Sequence, residues 1–250
     1  MSRIRTELKR RMARYGGERK EIMKTLGIIG GLGPKTTAKF YMRIVSLCAN
    51  RNLEQRPNIL ISNVPISHKL EEKFINRSEG KKEFCELLIT AAKTLEKGGA
   101  DFLVLPCDTA HVFIEEIKLA VNIPVLSIIN ETVKVLKSRG VEKIGLLSTP
   151  ATVKNKLFDK KIDLIKPSKS NQKKMGLIIN SILNNRNIDE NRIELLEIIK
   201  SLSKKSDALL LACTDLQLLI PEKEINGVEI FDTMQILANA TVREIINERR

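Results

Sequence analysis

With 250 residues, a hydrophobic fraction of 42% and no Trp, the chain is long enough for one large α/β domain or two smaller lobes around an aliphatic core. Four Cys without a C-x-x-C pair fit a reducing, cytoplasmic setting better than a disulfide framework, and no apolar run approaches the roughly 18 residues of a membrane span. The net charge of +13 invites a nucleic-acid reading, but residues 1–22 hold eight Lys/Arg against three Asp/Glu, and no aromatic residues interleave with the basic ones as a base-stacking surface needs, so neither nucleic acid nor membrane is expected as a partner.

Residues 1–23 read as a basic N-terminal extension without a strand pattern or the apolar core of a secretion signal. Gly16-Gly-Glu-Arg-Lys-Glu21 can be encoded almost wholly in purines just upstream of Met23. A physiological start at Met23, with this stretch a translated ribosome-binding site, is one expectation; a short basic tail, disordered or helical, is the other.

From there strands and helices alternate. Thr25–Ile29 is the first strand, Gly30-Gly-Leu-Gly33 a tight loop, and Pro34 opens a helix to about Asn50. Ile59–Ser62 is a second strand, leading into a loop with Asn63, Pro65 and His68. Glu79–Lys97 is a long amphipathic helix stopped by Gly98-Gly99. The third strand ends at Cys107, a helix covers Thr109–Ala120, and Pro124–Ser127 is the fourth strand. Helix 130–139, strand 143–147, a helix from Thr149-Pro150, strand 162–165, helices 170–184 and 189–204, strand 207–211, a short strand 228–231 and a terminal helix from Asp232 follow. Such alternation implies parallel sheets.

Two segments are near-copies. Asp101-Phe-Leu-Val-Leu-Pro-Cys107-Asp-Thr matches Asp207-Ala-Leu-Leu-Leu-Ala-Cys213-Thr-Asp. Each reads as a buried parallel strand with a Cys at its carboxyl end, where open α/β sheets bind ligands. Leu26-Gly-Ile-Ile-Gly-Gly likewise resembles Ile144-Gly-Leu-Leu-Ser-Thr, and Asn122-Ile-Pro-Val-Leu-Ser resembles Gly227-Val-Glu-Ile-Phe-Asp. A period near one hundred residues means two similar lobes. If the fold brings the two strand ends together, one thiol stands on each side of a small substrate.

Other motifs fail. Pro34 interrupts the Gly-Lys pair that a phosphate-binding loop requires, and the third glycine of a dinucleotide fingerprint is missing. The Gly30–Gly33 loop can still cradle a carboxylate with its amides, or serve as a purely structural turn. Cys107 and His111 lack a second pair at ligand spacing, so no metal is expected, and His111 reads as a helix-start residue bonded to the backbone. Cys48 and Cys85 read as packing residues.

On Gly27-Ile-Ile-Gly-Gly-Leu-Gly-Pro34, Pro106-Cys-Asp-Thr-Ala-His111, Ala212-Cys-Thr-Asp-Leu216 and Phe231-Asp-Thr233, the chain resembles the aspartate/glutamate racemase family across residues 24–250. The resemblance implies an α/β fold of two pseudo-symmetric flavodoxin-like lobes, each a parallel sheet flanked by helices, with the active site in the cleft between them. Lobe 1 would comprise residues 24–122 and 232–250, and lobe 2 residues 123–231. It implies a homodimer, no cofactor and a small amino-acid substrate. It also implies Cys107 and Cys213 as the two acid/bases.

The chemistry agrees with two thiols. Racemisation takes the α-proton from one face and returns one to the other, so two bases on opposite faces solve the geometry, one starting as thiolate. Helix N-termini after each Cys would favour that thiolate. Gly31, Leu32, Gly33, Asn63, Thr109 and Thr214 are candidates for holding the substrate and stabilising the carbanion, and Asp108 and Asp215 for pairing with its ammonium. Thr109 and Thr214 are equally suited to helix capping.

This chain departs from the family at several positions. Asp108 stands where the family carries Asn, Asp215 where it carries Glu, and Val64–Leu70 lacks the Arg that aspartate-specific members use. Lys69 or Lys73 would substitute only as point charges, and Asn184 replaces a family Lys. The substrate is therefore not expected to be restricted to aspartate. The alternatives are a related isomerase or lyase, of the hydantoin racemase or maleate isomerase type, and a degenerate small-acid-binding protein.

Overall fold

The computed structural model describes residues 23–247 apart from positions 52, 54 and 160, so the expectations about residues 1–22 lie outside the described residues. Two sheets form the frame. In the first, β2 (Ile59–Asn63), β1 (Leu26–Gly30), β3 (Phe102–Val104) and β4 (Val125–Leu126) lie side by side in that order, all parallel. In the second the order is β6 (Asp163–Ile165), β5 (Lys143–Ser148), β7 (Ala208–Ala212), β9 (Val228–Asp232), β8 (Glu224–Ile225), parallel except for the antiparallel edge pair β8–β9. Leaving out β8, both sheets run 2-1-3-4, the flavodoxin order. That shared order is the pseudo-symmetry announced by the repeated Cys segments, since β3 and β7 hold equivalent places.

The central strands are aliphatic because they are covered on both faces. All five residues of β1 and of β7 are buried. Three apolar clusters result. A shared one joins Leu26, Ile28 and Phe40 of the first half to Ile144, Leu146 and Leu210 of the second, along with Met234 and Leu237. The other two lie on the far faces of the sheets, one around Leu88, Leu103 and Leu105, the other around Ile179, Leu195 and Leu209. Cys48 is buried in the shared cluster and Cys85 packs at the edge of the first-half one.

The helices that matter for the site are α1 (Pro34–Ala49), α2 (His68–Arg77), α3 (Lys81–Gly98), α4 (Ile114–Ala120), α5 (Ile128–Ser138), α6 (Pro150–Lys154) and α7 (Lys169–Leu183). Helix α8 (Ile188–Ser203) covers the second sheet, and α9 (Thr233–Ile245) packs against both α1 and α5. The chain end is tied back to its start by Lys24 N–H donating to the Ile245 carbonyl (2.8 Å) and by a Lys24–Glu244 ion pair.

Three expectations need correction. Helix α2 occupies the stretch expected as a loop around His68. Its signal was present: Ser67 accepts a hydrogen bond from Leu70 N–H (3.2 Å) as an N-cap, and Leu70 and Phe74 repeat at helical spacing on the buried face. The helix expected over 109–120 begins as a 3₁₀ turn, Thr109–Phe113, before α4. Strand β4 pairs with β3, so the expected division at 122/123 falls one strand too early. No described helix is long and apolar enough to cross a membrane.

Candidate active site

In a 2-1-3-4 sheet the strand order reverses between β1 and β3, and their carboxyl ends open a crevice. Here the loop after β1 is Gly30–Gly33, and Cys107 follows β3. In the second sheet the equivalent ends give Ser148-Thr149 and Cys213. These ends converge on one small cavity of about 20 Å³, lined by Leu32, Cys107, Thr109, Thr149, Cys213, Asp215 and, from α2, Glu71, Phe74 and Ile75. Phe84, Ile179 and Leu183 complete its apolar wall. That volume holds about one water molecule. The cavity lies between the halves, and Cys107 in its wall is partly exposed.

Gly31 and Gly33 take left-handed backbone angles (φ 89° and 79°), which spares them a Cβ where space is lacking. A side chain at Gly33 would collide with the Asp215 carboxylate, and one at Gly31 with the backbone of Val64. Two of the loop amides are already engaged. Gly31 N–H donates to Thr37 Oγ1 (3.0 Å), and Gly33 N–H donates to the Glu71 carboxylate. One loop amide thus holds a carboxylate of the protein itself.

Across the cavity, Asp215 accepts hydrogen bonds from the Thr36 hydroxyl and, at 3.9 Å, from the Cys213 thiol. The Thr109 hydroxyl meets those of Thr149 (2.9 Å) and Thr152 (3.1 Å), joining the two halves. Thr214 donates to the Pro106 carbonyl (3.0 Å), which ties one strand end to the other. Neither Thr caps a helix with its side chain, so the capping role expected as an alternative is absent.

Electrostatics in this closed form oppose ionisation of the thiols. Burial pushes both Cys107 and Cys213 up, and the nearby carboxylates, Asp215 first, push them further. The Ala110 N–H favours the Cys107 thiolate, but enclosure outweighs it, contrary to the expected lowering by a helix start. Burial also raises Asp215 to about 6 and Glu71 to about 7, the latter helped by Asp215.

Of the other expected substrate-binding residues, Asp108 is 1% exposed and lies outside the cavity lining. One of its oxygens accepts from the Thr233 hydroxyl (2.9 Å) and the other has no partner; burial lifts its carboxyl to about 8. It is therefore a neutral acid at pH 7, the nearest carboxyl analogue of Asn, and not a counter-ion for ammonium. Asn63 is exposed at the end of β2, and Lys69 and Lys73 are exposed on α2; none lines the cavity. His111 binds the backbone twice, Nδ1–H donating to the Cys107 carbonyl (2.8 Å) and Nε2 accepting from Ile128 N–H (3.0 Å). Glu71, Phe74 and Ile75 were not anticipated because α2 was read as a loop; Thr149, Phe84, Ile179 and Leu183 come to the cavity from other elements that only the tertiary fold brings together. Among the described residues no group of His, Cys, Asp and Glu is placed to hold a metal.

Comparison with known proteins gives a consistent result. The model of the Asp/Glu/hydantoin racemase family matches residues 29–241. The chain is 28% identical over 227 residues to the broad specificity amino-acid racemase RacX of Bacillus subtilis, covering 87% of this chain and 96% of that protein. Among solved structures it is similar to an aspartate racemase homologue from Pyrococcus horikoshii (TM-score 0.71, 27% identity, 90% of this chain and 100% of that one). It is also similar to the Picrophilus torridus aspartate racemase (TM-score 0.73, 25% identity, 90% and 95%).

Proposed function

Since the chain belongs to the Asp/Glu/hydantoin racemase family, we propose that it inverts the α-carbon of amino acids without a cofactor, with Cys107 and Cys213 as the acid/base pair on opposite faces. The observation that carries this is the convergence of both thiols, from equivalent strand ends of a duplicated fold, on one cavity.

One thiolate removes the α-proton while the opposite thiol delivers its own, so the pair ends with the proton exchanged between sulfurs. Substrate supplies what the closed site lacks. An ammonium seated against Asp215 cancels the charge that most opposes thiolate formation, after burial itself. In this reading the Thr109 and Thr149 hydroxyls, both in the cavity wall, turn from each other and from Thr152 to donate to the α-carboxylate as negative charge grows on the carbon. Leu32, Gly33 and Thr214 shape the site, Gly33 by letting Asp215 approach and Thr214 by joining the strand ends. Substrate enters when the halves part at the cavity, which then becomes the interlobe cleft of this proposal. A homodimer in a cytoplasmic setting is part of the same reading, and sedimentation of the purified protein checks the dimer.

The test is α-hydrogen exchange in deuterium oxide over a panel of L- and D-amino acids. At least one pair should exchange and interconvert, and Cys107→Ala and Cys213→Ala should each lower racemisation by about 10²-fold or more. Full activity in either variant ends the two-base reading.

A further inference from the structure

The cavity holds two carboxylates and no cation. Asp215 and Glu71 both line it, while no Lys, Arg or His does. A zwitterionic amino acid brings one ammonium, and Asp215, fixed by Thr36 beside Cys213, stands where that ammonium belongs. Glu71 is then a second buried acid without a countercharge. It is 9% exposed, and among the described residues no basic side chain reaches it within ion-pair distance. The Gly33 amide donates to this carboxylate at the cavity wall, and its two oxygens have further acceptor capacity.

The wall beside Glu71 is apolar: Phe74, Ile75, Phe84, Ile179 and Leu183. An aliphatic stem suits that wall, and a positive head group suits the acid beyond it. An acidic side chain meets neither need, since it would be desolvated against like charge. Resting on the racemase reading, we propose that Glu71 is the side-chain specificity residue of this site and selects amino acids with a cationic side chain on an aliphatic stem, such as lysine and ornithine. The carboxyl at about 7 in the closed form is consistent with a group waiting for that cation, because a bound ammonium would draw it back to full ionisation.

The experiment compares lysine, ornithine, norleucine and glutamate in the deuterium-exchange assay, with wild type and Glu71→Gln. In wild type kcat/KM for lysine and ornithine should exceed that for norleucine by about 10-fold or more, and glutamate should be the poorest. In Glu71→Gln the ratio of lysine to norleucine should fall by about 10–100-fold, the cost of one charge-assisted contact. A merely structural role would lower both substrates together and leave the ratio in place. An unchanged ratio, or norleucine preferred by wild type, overturns the proposal while the racemase reading stands. If no amino acid exchanges, the racemase reading falls. Calorimetric binding of lysine against norleucine to the same two proteins then decides Glu71 alone: lysine favoured in wild type and not in the variant supports the assignment, and equal binding overturns it.

Discussion

Asp108 shows how one side chain changes character with its surroundings. At the end of a strand it reads as a charge able to pair with a substrate ammonium. Burial instead keeps it protonated, with its carboxyl at about 8 against an ordinary 3.8. A carboxyl whose folded value is raised stabilises the protein below its unfolded value, and that contribution is lost as pH rises from about 4 to about 8. Wild type should therefore lose up to about 1.4 kcal/mol of stability per pH unit across that window relative to Asp108→Asn. Paired urea titrations at several pH values measure it. A difference between the two proteins that does not vary with pH would mean Asp108 is ionised in the folded chain. Glu71 presents the opposite case, a buried acid facing the cavity, where a cation from outside relieves it.

Among the elements, the fastening of β3 to α5 carries the clearest consequence. His111 joins the Cys107 carbonyl to the first amide of α5, so it holds the Cys107 end of β3 in register with the helix that packs on α9. Both bonds require neutral imidazole with the proton on Nδ1. Burial lowers its value to about 4 from 6.5, so its stabilising share is present above 6.5 and lost as pH falls toward 4. His111→Ala leaves a buried carbonyl and a buried amide unpaired, and should cost about 1–3 kcal/mol for each group by chemical denaturation. A variant as stable as wild type would show that water replaces the imidazole at both groups. Helix α2 is the other decisive element. Its Ile75 packs into the second-half cluster, and Asn155 and Lys154 of the second half bond Ser78 and the Arg77 carbonyl at its end. Both apolar packing and these polar bonds therefore join α2 to the second half beside the cavity.

At the scale of the whole molecule, the shared apolar cluster makes the two halves one cooperative body. Leu237 of α9 is fully buried within it, among side chains of both sheets. Leu237→Ala should cost about 2–5 kcal/mol and lower the stability of both halves together, seen as one shifted transition in calorimetry. Two separated transitions would mean that the halves unfold independently. A common body of this kind holds the strand ends that carry Cys107 and Cys213 in fixed relation to each other.

Much of this was legible in the linear chain. The repeated strand–Cys segments disclosed two equivalent half-folds, because buried parallel strands are continuous apolar runs whose carboxyl ends are the functional ends. Cys107, Cys213, Asp215 and Thr109 were placed together on that reasoning, and the structure brings all four to one cavity. Helix α2 escaped notice because Pro65 and His68 suggested a loop and its short buried face is held by tertiary contact with the second half. What only the folded chain decided was electrostatic and mutual: that the thiols are held protonated, that Asp108 is neutral, and that Glu71 faces Asp215 across the chamber. Apolar periodicity is written in neighbouring residues, whereas desolvation and the approach of distant charges exist only once the two sheets have closed on each other.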